Sequence, residues 1–366
     1  MLKVTGIHHI SSIVGHAQKN IDFYASVLGM RLVKQTLNYD DSSTYHFYFG
    51  NEDANTPILT TFPWNDAVNG KNGSGYVGIT SLGVNPGTLT FWKDRLASFN
   101  IDTSTTKRFN KDRIYFKDLD GLEVELVETP NSIENQWEFN GIDTKHAIKG
   151  IDTAVLYSRI PSSTLTLLTD ILGFNVIDED DSFYQLQTQS GFGNTIELSK
   201  TKEEQGRQGV GTVHHIAFGV QDDEIDQWVD KIRDAGYLPT EVKDRNYFKS
   251  IYFRDKGGIL IELATLSPGL MVDESIESLG GHLIIPEHFK AVSQEVMDTL
   301  MPIEVREVDK LEGYGYRNRY EFNLIRKRQA IIKEILALKT LEKVKGLSKD
   351  ESSKLYDLKV KLQNVV

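Results

Sequence analysis

The sequence predicts an α+β fold of four βαβββ modules in two tandem domains, followed by a C-terminal helical tail. Four stretches between about residues 4 and 266 share one plan: a short apolar strand, an amphipathic helix and three further strands. After residue 319 the apolar spacing becomes helical throughout. A chain of 366 residues is also long enough for more than one domain of ~150 residues.

The ends of the four predicted helices mark the repeat most clearly. They read FYASVLGMRL at 23–32, WKDRLASFNI at 92–101, LTDILGFNVI at 168–177 and VDKIRDAGYL at 229–238. In three of the four, a glycine follows the last helical turn, where a residue in the left-handed conformation commonly ends a helix. The pattern therefore predicts four helices that lead into the next strand in the same way.

The strands align as well and define two equivalent positions in each module. The first strands are GIHHISSIV from Gly6, YVGITSLGV from Tyr76, GIDTAVLYS from Gly150 and TVHHIAFGV from Thr212, and the last strands are ILTTF, LEVEL, NTIEL and ILIEL. The opening position, on the first strand, holds His9, Ile79, Thr153 and His215 in modules 1 to 4. The closing position, on the last strand, holds Thr61, Glu125, Glu197 and Glu262. The two positions lie 44 to 52 residues apart in every module, which favours a true repeat.

Two loop-like breaks divide the modules. Asn, Gly and Pro cluster near 65–75 and 129–149. We expect an N-terminal domain over 1–130 and a C-terminal domain over 146–268, each of two modules. The modules must pair because a single one leaves an apolar sheet face uncovered.

Beyond the modules, we expect an irregular extension over 269–318 and a helical hairpin over 319–366. Apolar residues recur every three or four positions in the first helix, namely Leu324, Ile331, Ile335 and Leu338. Ser348 and Glu351 form a capping box that would start the second helix. We expect this tail to pack on its own chain or on a twin subunit of a homo-oligomer.

Composition excludes several classes of protein and of site. Cysteine is absent, so disulfides, thiolate nucleophiles and cysteine-ligated zinc or iron–sulfur sites are ruled out, and any metal must be held by His and carboxylate. The net charge of −11 disfavours nucleic acid as a partner. Apolar runs are far shorter than the ~20 residues that span a bilayer, so we expect no membrane partner. No secretory signal is visible, so we expect a cytoplasmic protein.

Modules 1 and 4 together offer the best set of metal ligands. Their four positions hold His9, Thr61, His215 and Glu262, whereas pairs of consecutive modules contain at most one His. Two imidazoles and one carboxylate make the facial triad of non-haem Fe(II) oxygenases, which leaves coordination positions open. The hypothesis requires the first and last modules to meet, either within one chain or across a dimer.

A histidine on a strand is more often a hydrogen-bonded structural residue than a ligand. Here, however, two doublets occupy equivalent positions, and Glu262 interrupts an otherwise apolar strand, where a buried carboxylate needs a partner. Neighbouring strand residues point to opposite faces, so only one member of each doublet should face a metal. The alignment alone leaves open whether His8 and His214, or His9 and His215, do so.

Several longer segments carry a family resemblance. They are GIHHI from Gly6, DFYASVLGMRLVKQTLNYDD from Asp22, GTVHHIAFGV from Gly211, DRNYFKSIYFRDKGGILIELAT from Asp244 and DESIESLGGHLIIP from Asp273. With them the chain resembles the vicinal-oxygen-chelate superfamily, also called the glyoxalase/bleomycin-resistance/extradiol dioxygenase fold. Within it, the resemblance is to two-domain ring-cleaving dioxygenases that open hydroquinones. The two predicted domains would then be glyoxalase-like.

The resemblance implies a mononuclear Fe(II) site, or sometimes Mn(II), and assigns roles to residues. The second His of each doublet would be the ligand, so the metal set is His9, His215 and Glu262. The catalytic residues that it implies are His8 and His214, in the second sphere, and Arg245 and Tyr252, which would line the substrate pocket. Asp152 stands where the third module would need the first His of a doublet.

The function that the resemblance implies is that of an extradiol-type, non-haem Fe(II) ring-cleaving dioxygenase. Its partners would be a small hydroquinone- or catechol-type aromatic substrate and dioxygen. One alternative is a glyoxalase-type metal isomerase or transferase. The isomerase would want a fourth ligand where Thr61 stands. The other alternative is a non-catalytic protein of the same fold that binds aromatic compounds.

Several of these residues also have a purely structural interpretation. Arg245 could form a surface salt bridge with Asp244 or Glu241, and Tyr252 could simply pack within a strand. The histidines outside the doublets are expected to be structural, namely His16, His46, His146, His282 and His288.

Overall fold

The computed structural model describes residues 2–54, 57–64, 67–130, 133–188, 191–293, 296, 300–301, 303–311 and 319–364. Residues up to 311 form one compact unit, and the helical tail belongs to a second. The four βαβββ modules, the α+β class and the helical tail are confirmed. Among the described residues, no helix has the length and apolarity needed to cross a membrane.

Modules 1 and 2 have closely similar element orders. Module 1 consists of β1 (Ile7–Val14), α1 (Ala17–Ile21, continued by a π-helical turn over Asp22–Val27), β2 (Arg31–Asn38), β3 (Asp41–Gly50) and β4 (Ile58–Pro63). Module 2 consists of β5 (Tyr76–Val84), α2 (Leu89–Ser98), β6 (Thr103–Arg108), β7 (Lys111–Lys117) and β8 (Glu123–Glu128).

Modules 3 and 4 repeat this order. Module 3 consists of β9 (Gly150–Tyr157), α3 (Pro161–Thr166, continued by a π-helical turn over Leu167–Ile171), β10 (Asn175–Glu179), β11 (Phe183–Gln187) and β12 (Thr195–Ser199). Module 4 consists of β13 (Thr212–Val220), a 3₁₀ turn (Asp222–Glu224), α4 (Ile225–Asp234), β14 (Lys243–Asp244), β15 (Lys249–Arg254) and β16 (Leu260–Thr265).

The modules pair across the chain, first with last. In the described part, modules 4 and 1 share a nine-stranded sheet in the order β14-β15-β16-β13-β1-β4-β3-β2-β17, where β17 is Leu283–Ile284. Modules 3 and 2 share an eight-stranded sheet in the order β10-β11-β12-β9-β5-β8-β7-β6. Modules 1 and 4 thus meet within one chain, the arrangement that the ligand pattern needs. The domain limits at 1–130 and 146–268 stay a prediction, and each sheet takes one module from either side of that division.

Modules that follow one another in sequence make contact near their helices. Arg95 on α2 donates hydrogen bonds to the backbone carbonyls of Ser26 and Val27, at the end of the module 1 helix. Tyr24 donates to Asp118, in the turn between β7 and β8, at 3.0 Å.

Helix α4 shows why such helices pack on a sheet. It buries apolar side chains at helical spacing, namely Ile225, Trp228 and Ile232.

The predicted helix ends are confirmed by backbone conformation. Gly29, Gly173 and Gly236 have φ values of +65°, +87° and +82°, the left-handed region in which a side chain is strained. The fourth helix ends with Asn100 at φ +58°, since Asn tolerates this conformation better than most residues.

The extension is anchored on module 1 by charged groups. Lys34 on β2 is fully buried, and its Nζ lies 2.5 Å from Asp273 Oδ1 and 2.5 Å from Glu274 Oε2. Further along the chain, the Arg306 guanidinium donates two hydrogen bonds to the carboxylate of Asp22, beside α1. These pairs bring residues that follow the repeats back against the module that begins them.

The tail forms the predicted pair of helices, α5 (Arg319–Lys345) and α6 (Lys349–Asn364). The capping box is confirmed, because the Ser348 N–H donates to Glu351 Oε2 at 2.8 Å and the Glu351 N–H donates to Ser348 Oγ at 3.2 Å. Apolar side chains of the two helices and of the turn between them pack together, namely Ile331, Ile335, Leu338, Leu347, Leu355, Leu358 and Leu362. The side chain of Leu324 lies outside the described residues.

Candidate metal centre

Both histidine doublets lie at β-bulges where β1 pairs with β13. The register shifts between Ile7 and His9, which leaves His8 as an extra residue on β1. A second shift leaves His214 as an extra residue on β13. A bulge can direct two neighbouring side chains to one face, which regular alternation forbids. Both members of each doublet therefore reach the cavity-bearing face of the nine-stranded sheet.

The structure brings His9, His215 and Glu262 together on that face. His9 Nε2 lies 3.1 Å from His215 Nε2 and 3.2 Å from Glu262 Oε2, and His215 Nε2 lies 2.8 Å from the same oxygen. Ligand atoms about 2.1 Å from a metal ion and 90° apart would lie about 3.0 Å from one another. The three separations therefore match three adjacent ligand positions and leave the other positions open.

The charges at this point also call for a cation. All three side chains are buried, and Glu262 Oε1 has no hydrogen-bond partner among the described residues. Burial lowers the pKa of His215, which favours the neutral imidazole. Burial alone would raise the pKa of Glu262, but the neighbouring His9 and His215 hold it well below its usual range. An ionised buried carboxylate beside imidazoles without permanent charge fits a divalent metal.

The first member of each doublet holds the second through its ring. His8 Nδ1 lies 2.8 Å from His9 Nδ1, and His214 Nδ1 lies 2.8 Å from His215 Nδ1. Burial, followed by the neighbouring His, lowers the pKa of both His8 and His214 to about 3, so their rings stay neutral. If each Nδ1–H of His9 and His215 donates to its neighbour, both Nε2 lone pairs are left for a metal.

The closing position of module 1 is Thr60, so the expectation of Thr61 was wrong. The pairing of β4 with β1 puts Thr60 in the register that Glu262 has on β16. Thr61 points to the other face, where its Oγ1 donates to Asn20 at 2.6 Å. The Thr60 hydroxyl is 2.9 Å from His46 Nε2. The apolar pattern of ILTTF could not reveal the offset, since every residue of this segment is buried.

A cavity of about 380 Å³, here called the front cavity, opens on His9 and His215. Its walls are rich in aromatic rings, namely Tyr39, Tyr48, Phe62, Trp64, Phe248 and Tyr252. His214 and Arg245 line it too, whereas His8 does not. The cavity is large enough for a small planar ligand, and its lining combines aromatic rings with polar and charged groups such as Asp40, Lys243 and Arg245.

Arg245 lies in the cavity wall with most of its side chain buried. Its charged partner is Asp40, since Arg245 Nη2 lies 3.2 Å from Asp40 Oδ2. The sequence had suggested Asp244 or Glu241 as the partner of a surface salt bridge. Its guanidinium lies 5.5 Å from the ring centre of Tyr252. Burial by itself would lower the pKa of Arg245, but Tyr252 and Asp40 raise it, so the cation is permanent.

Tyr252 faces Glu262 across the β15–β16 pairing, and its ring centre lies 5.6 Å from that of His215. Burial, followed by the charge of Glu262, raises the pKa of Tyr252 above its usual value. Its phenol therefore stays protonated at neutral pH and can donate a hydrogen bond into the cavity.

Tyr48 is the cavity residue that sequence reasoning missed. It pairs with Thr60 as Tyr252 pairs with Glu262, so the two tyrosines occupy equivalent positions in modules 1 and 4. The signal was the match of FYF at 47–49 with IYF at 251–253. The Tyr48 hydroxyl lies 3.0 Å from His46 Nδ1. Both ring nitrogens of His46 are thus engaged, and burial lowers its pKa well below the usual value.

Comparison with protein families agrees with this architecture. The family model described as "Glyoxalase/Bleomycin resistance protein/Dioxygenase superfamily" matches residues 6–126 and 150–263. A Bacillus subtilis (strain 168) protein named "Putative ring-cleaving dioxygenase MhqO" is 44% identical over 310 residues, covering 84% of this chain and 99% of that protein. A Sphingobium indicum (strain UT26S) protein named "Chlorohydroquinone/hydroquinone 1,2-dioxygenase" is 30% identical over 311 residues, covering 81% of this chain and 96% of that protein.

Solved structures show the same similarity. A crystal structure described as a "putative dioxygenase" from Bacillus subtilis subsp. subtilis str. 168 matches with a TM-score of 0.82 and 44% identity, covering 84% of this chain and all of that one. Glyoxalase I from Zea mays matches with a TM-score of 0.54 at 14% identity, covering 72% of this chain and 92% of that one. The second match is a likeness of fold alone.

Proposed function

The chain belongs to the glyoxalase/bleomycin resistance protein/dioxygenase superfamily, and on that premise we propose that it is a ring-cleaving dioxygenase. Its substrate would be a small hydroquinone- or catechol-type ring, opened with dioxygen in an extradiol-type reaction at a non-haem Fe(II) or Mn(II) centre. The observation that carries the proposal is the convergence of His9, His215 and Glu262 at one end of an aromatic-lined cavity.

The three ligands that would hold the metal are the two imidazoles and the carboxylate, all buried. When bound, the metal would lower the pKa of a ring hydroxyl and offer open positions to substrate and dioxygen. His8 and His214 would fix the ring orientation of His9 and His215 through their Nδ1 contacts. A direct catalytic role for His8 and His214 stays a prediction.

The cavity walls supply the remaining recognition. We propose that the permanent cation of Arg245 holds the negative oxygen of the second ring hydroxyl. The protonated phenol of Tyr252 would donate a hydrogen bond to charge that develops on the ring. Aromatic side chains in the cavity wall, including the stacked rings of Phe62 and Trp64, suit a planar substrate. The name of the Sphingobium relative supports a hydroquinone over a catechol.

The glyoxalase-type isomerase lacks its fourth ligand, which would be a second carboxylate. Thr60 occupies that position, and its hydroxyl already contacts His46 and Ser11. The non-catalytic alternative would not require three buried donor atoms around one point. The isomerase would therefore lack a ligand that it needs, and a non-catalytic protein would leave the three buried donors without a purpose.

Oxygen uptake with defined substrates tests the proposal. The protein would be loaded anaerobically with Fe(II) and mixed with oxygen and methylhydroquinone, chlorohydroquinone or catechol in turn. We expect uptake of one dioxygen per ring opened, fastest with a hydroquinone. The matched control is the same protein treated with a chelator, which should take up no oxygen. Absence of uptake with all three rings, or formation of lactoylglutathione from methylglyoxal and glutathione instead, would overturn the proposal.

The remaining organisational features are also proposals. We propose that the sequence domains are 1–130 and 146–268, and that the protein is a cytoplasmic homo-oligomer. Light scattering during size-exclusion chromatography tests the oligomer, since a mass near 41.4 kDa in solution would contradict it.

A further inference from the structure

A second cavity reaches the candidate metal centre from another side. This rear cavity has a volume of about 430 Å³ and is lined mainly by apolar side chains, including Ile58, Phe192, Leu266, Leu270 and Met271. It also touches His9. The proposed substrate site does not use this space, because Arg245, Tyr252 and His215 all lie in the front cavity.

Only a thin wall separates the two cavities. Three side chains line both of them, His9, Tyr48 and Phe248. The Phe248 ring packs against both rings of the first doublet, with centres 5.0 Å from His8 and 5.3 Å from His9. A small molecule in the rear cavity can therefore contact the candidate ligand His9 directly, and single side chains separate it from the front cavity.

The rear cavity suits an apolar occupant. Its polar lining comprises the side chains of Thr5, His8, His9, Tyr48, Asp53 and Tyr247, and polar atoms of several of them are already engaged. The Tyr48 hydroxyl contacts His46, and the Tyr247 hydroxyl donates to Asp273 at 3.0 Å. The His8 ring is held by His9 and by a backbone hydrogen bond at Thr265. A hydroquinone would bring two hydroxyl groups to walls that offer them few partners.

Several apolar side chains that line the rear cavity are partly exposed to solvent. Leu266 and Met271 line it and are 48% and 49% exposed, and Val272 beside them is 53% exposed. Apolar walls favour the entry of a small apolar gas over that of a charged or hydroxylated solute.

We propose that the rear cavity is the path by which dioxygen reaches the metal centre, while the front cavity receives the aromatic substrate. This inference rests on the proposed function. It explains how both reactants can reach one centre. A ring bound in the front cavity would obstruct the entry of dioxygen through that cavity, so dioxygen needs a separate path. Of the three side chains that line both cavities, Phe248 is the one whose ring contacts both members of the first doublet.

Gas binding to crystals of the metal-free protein tests the cavity without any turnover. Under xenon pressure we expect xenon density beside Leu270 in the wild type. We expect none there in Leu270→Trp, because the indole would fill the space. Absence of xenon from the rear cavity of the wild type would overturn the inference. This result is independent of whether the protein cleaves rings.

Kinetics of the iron-loaded protein test the path itself. Leu270→Trp should slow association of nitric oxide with the iron and raise the apparent KM for dioxygen about five-fold, with the hydroquinone KM unchanged. Ile58→Phe is a second blocking variant, and Phe248→Ala should speed nitric oxide association. Leu260→Phe, in the front cavity, is the matched control and should raise the hydroquinone KM only. Unchanged nitric oxide association in both blocking variants would overturn the inference. Failure of ring cleavage in the wild type would instead overturn the proposed function.

Discussion

The two sheets of this protein place the same four positions together and neutralise their carboxylates in different ways. In the sheet of modules 1 and 4, Glu262 meets His9 and His215. In the sheet of modules 2 and 3, the corresponding positions include Glu125 and Glu197 but no histidine. The difference shows what turns a repeated structural position into a candidate metal centre.

In the second sheet, two guanidinium groups occupy the place that a metal would take. Arg108 Nη2 lies 2.5 Å from Glu125 Oε1, and its Nε lies 2.6 Å from Glu197 Oε2. Arg113 lies between the same two carboxylates, at 3.0 Å from Glu125 and 2.5 Å from Glu197. Ser81 completes the cluster with a hydrogen bond to Glu125 at 2.5 Å.

Both sheets obey the rule that a buried carboxylate needs positive charge. The arginines are permanent cations that point their donors at the carboxylates, so this cluster is electrically complete. Imidazoles have no permanent charge, so Glu262 is left to be balanced by an ion. The bulge residues also lack histidine in the second sheet. Gly78 and Asp152 occupy the bulges there, at the positions that His8 and His214 hold in the first sheet.

The largest expected effect separates the carboxylates of the two sheets. Glu262→Gln should lower metal affinity by at least about 100-fold and abolish oxygen uptake, because it removes both a ligand and the charge that the cation balances. Glu125→Gln, its counterpart in the second sheet, should leave metal content unchanged. Elemental analysis after dialysis measures both. Equal metal loss in the two variants would mean that the comparison between the sheets is wrong.

Arg113→Met should act on stability instead of metal binding. It leaves two buried carboxylates with one arginine, and breaking such a pair costs about 3–5 kcal/mol. Urea unfolding would measure the loss, with metal content of the folded variant as the control. The double variant Arg113→Met/Glu197→Gln should recover part of the stability. A single variant as stable as the wild type would show that the cluster is not the counter-charge that we describe.

The turns before the last strands of modules 2 and 4 offer a pH-dependent comparison. Burial, followed by the charge of Asp120, raises the pKa of Asp118 to about 7 from its usual 3.8. Because this carboxyl has a higher pKa in the folded than in the unfolded protein, the folded protein loses stability as the pH rises from about 4 to about 7. Asp118→Asn should therefore gain stability relative to the wild type across that window, by at most about 4 kcal/mol.

Asp255 is the matched residue in module 4, and burial raises its pKa too, without an acidic neighbour among the causes. Asp255→Asn should show the same trend with a smaller amplitude. Chemical unfolding of all three proteins at pH 4, 5.5, 7 and 8 measures the differences. A constant difference between Asp118→Asn and the wild type would contradict the prediction.

The smallest expected effect concerns the tail. Both sheets lie in the unit that ends at residue 311. Deletion of residues 319–366 should therefore leave metal content unchanged and oxygen uptake within about two-fold of the full chain, since its apolar cluster is internal to the tail. Loss of metal from the shortened protein would show that the tail supports the first sheet.

Sequence reasoning reached the repeat because each module carries its own local signals. Gly29, Gly173 and Gly236 end their helices in the left-handed conformation that the pattern predicted. The capping box of Ser348 and Glu351 is likewise a local feature, set by residues three apart. The repeat limited the candidate ligands to the two doublets and Glu262, and the family resemblance then chose His9 and His215.

Other features depended on strand pairing. Thr60 and Thr61 are equally buried, so only the register of β4 against β1 shows which one faces the site. The two bulges likewise arise from pairing between β1 and β13, over 200 residues apart, and they let both members of each doublet face the cavities. Alternation along a single strand predicted the opposite.

By itself, the sequence determined the modules, their helix ends, the tail hairpin and a His–His–Glu set without cysteine. The tertiary structure decided that modules 1 and 4 meet within one chain, that Arg245 pairs with Asp40, and that the extension closes a second cavity at Leu270. The physical reason is the distance along the chain over which each kind of interaction acts. Caps and periodicity act over one helical turn, whereas a site at the junction of β1 and β13 depends on contacts between segments distant along the chain.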